Sequence, residues 1–202
     1  MLSNLTLAES KLSSLDHIDF PETLQSLNLI SCDTLSHIDR IRNLPKLCRL
    51  NLTACDKITH MTMPGNQELL RWFSFPGSIT QQEFEKLCLG LPAVEVVEVI
   101  DCPGIEDLLP LQQLEQLRIL ALQLEQEQLS GLDSLTQLEL LILTDDLFMD
   151  NSYWISELRS SLPSTQVVPG SGLCLGSGWL LLLLPLSFLF RMAMRRKAQS
   201  GA

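Results

Sequence analysis

The sequence predicts an α/β solenoid of stacked repeats with parallel strands along one side, followed by one hydrophobic helix at its C-terminus. Three observations predict it. Leucine supplies 45 of 202 residues, about 22% of a chain that is 46% hydrophobic and only 5% aromatic. The pattern aliphatic-x-x-aliphatic-x-aliphatic recurs as Leu2-Leu5-Leu7, Leu24-Leu27-Leu29, Leu47-Leu50-Leu52, Val94-Val97-Val99, Leu117-Leu120-Leu122 and Leu138-Leu141-Leu143. With Leu69-Trp72-Ser74 as a degenerate fourth copy, about seven copies start 21–25 residues apart. A fixed period of that size signals stacked supersecondary units, none of which can bury its aliphatics alone.

Each copy opens with a short strand, because its alternating aliphatics follow the two-residue period that points side chains to opposite faces. A turn and a compact return follow. In the second copy the return offers Leu35, Ile38, Ile41 and Leu44, three residues apart as on a 3₁₀ turn. The stretches "LQSLNLISCDTL" (24–35) and "LCRLNLTACDKI" (47–58) match the pattern L-x-x-L-x-L-x-x-N/C-x-L. In this the chain resembles the leucine-rich repeat family over about residues 2–168. The resemblance implies a solenoid bent into a horseshoe, with the parallel β-sheet on its concave face, and leaves function open. The fourth copy departs from the pattern: Ser74 takes an inward position and Pro76-Gly77 follows, which predicts a distorted strand.

The predicted order is repeats over 1–149, a capping element over 150–168, a Pro/Gly/Ser joint over 169–172, a membrane-spanning helix over 173–190 and a basic tail over 191–202. In the capping element Trp154, Ile155, Leu158 and Leu162 recur at helical spacing before Pro163, and Val167-Val168 offer a last short strand. At the other end either the first copy caps itself with Asn4, Thr6 and Ser10, or upstream sequence is missing.

Residues 173–190 carry no charge over 18 positions, enough for about one bilayer crossing. Trp179 suits an interface, and Arg191, Arg195, Arg196 and Lys197 anchor the far side. The positive-inside rule places this basic tail in the cytoplasm and the repeats outside, whereas residues 1–20 hold no secretory signal. The two signals oppose each other, so the side of the repeats stays open. The joint, apolar run and basic end also resemble bacterial C-terminal sorting tails, which implies an exported protein processed near the joint.

Charge narrows the function. Residues 1–170 hold all 24 acids and 10 of the 14 bases, so they repel nucleic acid. There is no G-x-S-x-G, phosphate loop, H-E-x-x-H or C-x-x-C, and neither an enzyme, a cofactor nor a small-molecule substrate is expected. His17, His37 and His60 recur in matching contexts, but donors on neighbouring repeats are too far apart to converge on one metal ion, so no metal site is expected. Cys32, Cys55 and Cys102 share one repeat position and are expected to be structural thiols. A Cys32–Cys55 bridge would need Cα atoms within about 7 Å.

A protein partner is expected on the outward strand residues. The first three copies present Asn4, Thr6, Ala8; Ser26, Asn28, Ile30; and Arg49, Asn51, Thr53. Later copies present Arg71, Phe73, Phe75; Val96, Glu98, Ile100; Ile119, Ala121, Gln123; and Leu140, Ile142, Thr144. The face turns from polar to apolar along the solenoid. Its predicted anchors are Phe73 and Phe75 beside Arg71, with Val96, Glu98, Ile100, Ile119, Leu140 and Ile142 continuing the patch. Coverage of this face by the fourth copy or by the final residues is the competing expectation. The whole reads as a non-catalytic interaction scaffold tethered to a membrane. The alternatives are an exported surface protein or the targeting subunit of a separate enzyme.

Overall fold

A computed structural model describes residues 2–59, 67–150 and 152–170. Eight strands form one open sheet in sequence order, every neighbouring pair parallel. They are β1 (Asn4–Ala8), β2 (Ser26–Ile30), β3 (Arg49–Asn51), β4 (Trp72–Ser74), β5 (Val96–Ile100), β6 (Ile119–Gln123), β7 (Leu140–Leu143) and β8 (Gln166–Pro169). One register column runs Leu5, Leu27, Leu50, Phe73, Val97, Leu120, Leu141 and Val167. From Leu27 onward each of these is buried, and with the returning aliphatics they make one continuous core. Leu35, Ile38, Ile41 and Leu44 all point into it, around a 3₁₀ turn at Asp39–Asn43.

The copies lock together at their turns. After β1, β2, β3 and β5 comes one residue in the left-handed region: Glu9, Ser31, Ala54 and Asp101, with φ of 50–54°. None is glycine, so each stores roughly 1–3 kcal/mol of strain. The next residue in three of these turns is Cys32, Cys55 or Cys102, all free thiols. Their Sγ atoms donate to carbonyls of the preceding copy: Cys32 to Leu7 O at 3.5 Å, Cys55 to Leu29 O at 3.4 Å and Cys102 to Pro76 O at 3.6 Å. Burial pushes the Cys55 and Cys102 thiols up to about 12, so they are unreactive.

The fourth copy is built differently. Its return is a true helix, α1 (Gln81–Leu89), opened by a capping box in which Thr80 Oγ1 accepts from Glu83 N at 3.3 Å and Glu83 Oε2 accepts from Thr80 N at 3.1 Å. Phe84, Leu87 and Cys88 form its buried face. Gly104, in the turn after β5, lies so close to the Ile79 carbonyl that a Cβ there would collide with backbone. At the end of the array, α2 (Asp145–Asp150) and α3 (Ser152–Ser161) precede β8. Ile155, Leu158 and Leu162 close the core, and Trp154 packs against it half-buried.

The structure corrects the register of the fourth copy. Leu70, not Leu69, opens it, because Leu50 pairs with Phe73 and Asn51 with Ser74. Phe73 and Phe75 therefore point into the core, both fully buried; their rings meet edge-on at 4.7 Å between centroids, and Phe75 meets Phe84 edge-on at 5.0 Å. Ser74, expected inward, stands on the opposite face beside Trp72. A slip of one residue inverts every side chain of a strand, and here it exchanges the two expected anchors for their neighbours.

Candidate functional site

The sheet face turned away from the core, the expected concave face, is two rows of outward side chains, two residues apart on each strand. One row runs Asn4, Ser26, Arg49, Trp72, Val96, Ile119, Leu140 and Gln166; the other runs Thr6, Asn28, Asn51, Ser74, Glu98, Ala121, Ile142 and Val168.

Over β1–β4 the rows are polar and bonded sideways. Asn28 Nδ2 donates to Thr6 Oγ1 at 3.1 Å, Thr53 N to Asn51 Oδ1 at 2.9 Å, and the Thr53 and Ser74 hydroxyls share a 2.6 Å bond. Over β4–β8 the rows are mainly apolar, with Ser74, Glu98 and Gln166 as the exceptions. Trp72, Val96, Ile119, Ala121 and Ile142 form a second hydrophobic cluster, separate from the core, with half-buried Leu140 and Val168 beside it. The most exposed of those five is Ile119, at 4%. Ile100 is equally buried, at the far end of β5.

Charge collects where the halves meet. The Arg49 guanidinium lies over the Trp72 ring, a cation–π contact, and Glu98 is buried on the next strand but one. Burial lowers the Arg49 pKa from the ordinary guanidinium range to about 10, against the opposing pull of Glu98 and then Cys48. Arg49 Nε and Nη2 meet no hydrogen-bond partner among the described residues. A desolvated guanidinium with free donors on an aromatic ring is chemically suited to a carboxylate or carbonyl brought by another segment.

Arg71 sits at the rim rather than on the face. Its Nε pairs with Glu95 at 3.4 Å, and its Nη1 donates to the Glu68 and Ala93 carbonyls at 2.8 and 3.1 Å. Arg118 and Glu139 repeat that pairing at 3.3 Å two strands on. Of the expected partner-binding residues, the structure thus brings together Val96, Glu98, Ile119, Leu140 and Ile142 on one face. It sends Arg71 to the rim and Phe73 and Phe75 into the core. Trp72 enters in their place, and the signal was available: Leu70-Phe73-Phe75 also fits the repeat pattern.

Among the described residues no group of three or more His, Cys, Asp or Glu side chains is disposed to hold a metal ion; His60 lies outside those residues. The expected helix at 173–190, with Trp179, Arg191, Arg195, Arg196 and Lys197, also lies outside them. No helix among the described residues is long and apolar enough to cross a membrane.

No family model and no curated protein matches the chain. Among solved structures it is similar to an internalin from Listeria monocytogenes, with a TM-score of 0.50 and 20% identity over 82% of this chain. The match covers 59% of the internalin chain. The likeness supports a leucine-rich-repeat-like solenoid fold.

Proposed function

We propose that the chain is a non-catalytic protein-interaction module, held at a membrane by residues 173–190, with the repeats and their closing segment forming the module and 169–172 the joint. The fold is one suited to binding. The observation that carries the reading is the concave face, where Arg49, Trp72 and Glu98 adjoin a contiguous apolar surface on a rigid sheet. Aromatic and Arg side chains in desolvated surroundings are the usual energetic centres of protein interfaces. A rigid sheet loses little freedom on binding, and a tether raises the effective concentration against partners in the same membrane.

Two measurements test this. Full-length chain is expected to float with liposomes, and failure to float overturns the tether. Arg49→Ala removes the guanidinium and leaves the backbone ladder intact, and it is expected to abolish stoichiometric co-purification of a protein partner from detergent extracts. Undiminished co-purification, with unchanged circular dichroism, moves the binding surface elsewhere. A second reading, export with cleavage of the tail, draws on the Gly/Ser joint before an apolar run with a basic end. An intact mass ending near residues 170–178 would favour it over the tether.

A further inference from the structure

The cluster made by Trp72, Val96, Ile119, Ala121 and Ile142 is kept dry although, among the described residues, it consists of strand side chains alone. Side chains on the outer face of an open sheet touch neighbours beside them and need an occupant above. We propose that this strip is the seat of the chain's own residues 173–190.

Length, position and charge favour that occupant. The strip spans β4 to β8, four strand spacings or roughly 19 Å, and its two rows are roughly 7 Å apart along the strands. An 18-residue helical segment is about 27 Å long and about 10 Å across, enough to cover both rows from end to end. The apolar run starts only four residues after β8 ends at Pro169, and β8 is the strand at the end of the strip. The Gly170-Ser171-Gly172 sequence is conformationally permissive enough for the chain to be directed back across the sheet. The segment is uncharged, and the strip it meets is apolar apart from Glu98, which lies buried in the second row on β5. Beyond it, residues 191–202 bring four bases and no acid to a body that carries 24 acids and ten bases.

Docking on the strip and insertion in a bilayer are alternatives for one segment, and the docking does not rest on the membrane reading above.

Photocrosslinking of the full-length chain separates the two. A benzophenone amino acid replaces Ile119 or, as a second probe, Ile142, and the irradiated monomer is mapped by mass spectrometry with and without anionic liposomes. The expected result without lipid is an intramolecular crosslink into 173–190, falling roughly tenfold when the chain floats with liposomes. Absence of that crosslink at both positions, with the strands still protected from hydrogen exchange, overturns the proposal. So does a crosslink confined to a second copy or to a co-purified protein. A crosslink that forms while the chain never floats upholds the docking and sinks the membrane tether; flotation without any prior crosslink does the reverse.

Discussion

The two halves of the concave face solve one problem in opposite ways. Over β1–β4 polar outward side chains bond to one another, as Asn28 does to Thr6 and Thr53 to Ser74; over β5–β8, Glu98 apart, they exclude water by packing. The parallel backbone ladder beneath is the same throughout. Folding is thus secured by the inward column and the backbone, and the outward rows are left to vary with function. The polar half meets water at β1, where Asn4 and Thr6 are exposed, and is itself buried by β3 and β4, at Asn51 and Ser74. The apolar half gains from any apolar surface laid on it, by about 25 cal/mol for each Å² removed from water. Arg49 and Trp72 stand on the seam.

The largest expected effect removes what both halves stand on. Phe73→Ala removes the fully buried ring that meets Phe75 edge-on and is expected to cost about 3–5 kcal/mol in denaturant unfolding. Had Phe73 faced the solvent, as first expected from the sequence, the loss would fall within about 0.5 kcal/mol. A smaller loss sharpens the polar half. Ser74→Ala strands the buried Thr53 hydroxyl, now at 2.6 Å from Ser74 Oγ, and is expected to cost about 1–3 kcal/mol. An unchanged midpoint would mean that water replaces the lost bond and that this half is wetter than the apolar one. The smallest effect has the opposite sign. Ala54→Gly relieves a φ of 54° and is expected to raise stability by up to about 1 kcal/mol, read as a higher midpoint at unchanged slope.

How much of this was legible in the sequence depends on which residues carried the signal. Leucines at fixed spacing gave the strands, and Leu35, Ile38, Ile41 and Leu44 gave the return, because an apolar residue in a repeat has one place to go. Val167-Val168 announced β8. The fourth copy misled because Leu69 and Leu70 are adjacent and either can open the pattern; choosing between them decides whether Phe73 faces core or solvent. Two further features were hidden for physical reasons. Glu9, Ser31, Ala54 and Asp101 are poor markers of a left-handed turn, since the neighbouring strands impose it rather than local preference. The capping box of Thr80 and Glu83 is a local helix-start signal, but it lies inside a copy whose neighbours return through 3₁₀ turns. The polar-to-apolar change along the concave face was legible, because it depends only on strand parity in the well-aligned copies. The role of Trp72 was not, because its parity was set by the ambiguous copy.

The strand order has a consequence under tension. Every strand is bonded only to its neighbours in sequence, so a pull on the two chain ends reaches the end strands first and loads their bonds a few at a time. No pair of distant strands must be sheared together. The molecule would lengthen in steps as single copies peel away, each step releasing 21–26 residues, or roughly 70–90 Å of extended chain. Such a chain yields gradually at its ends instead of breaking once at a clamp.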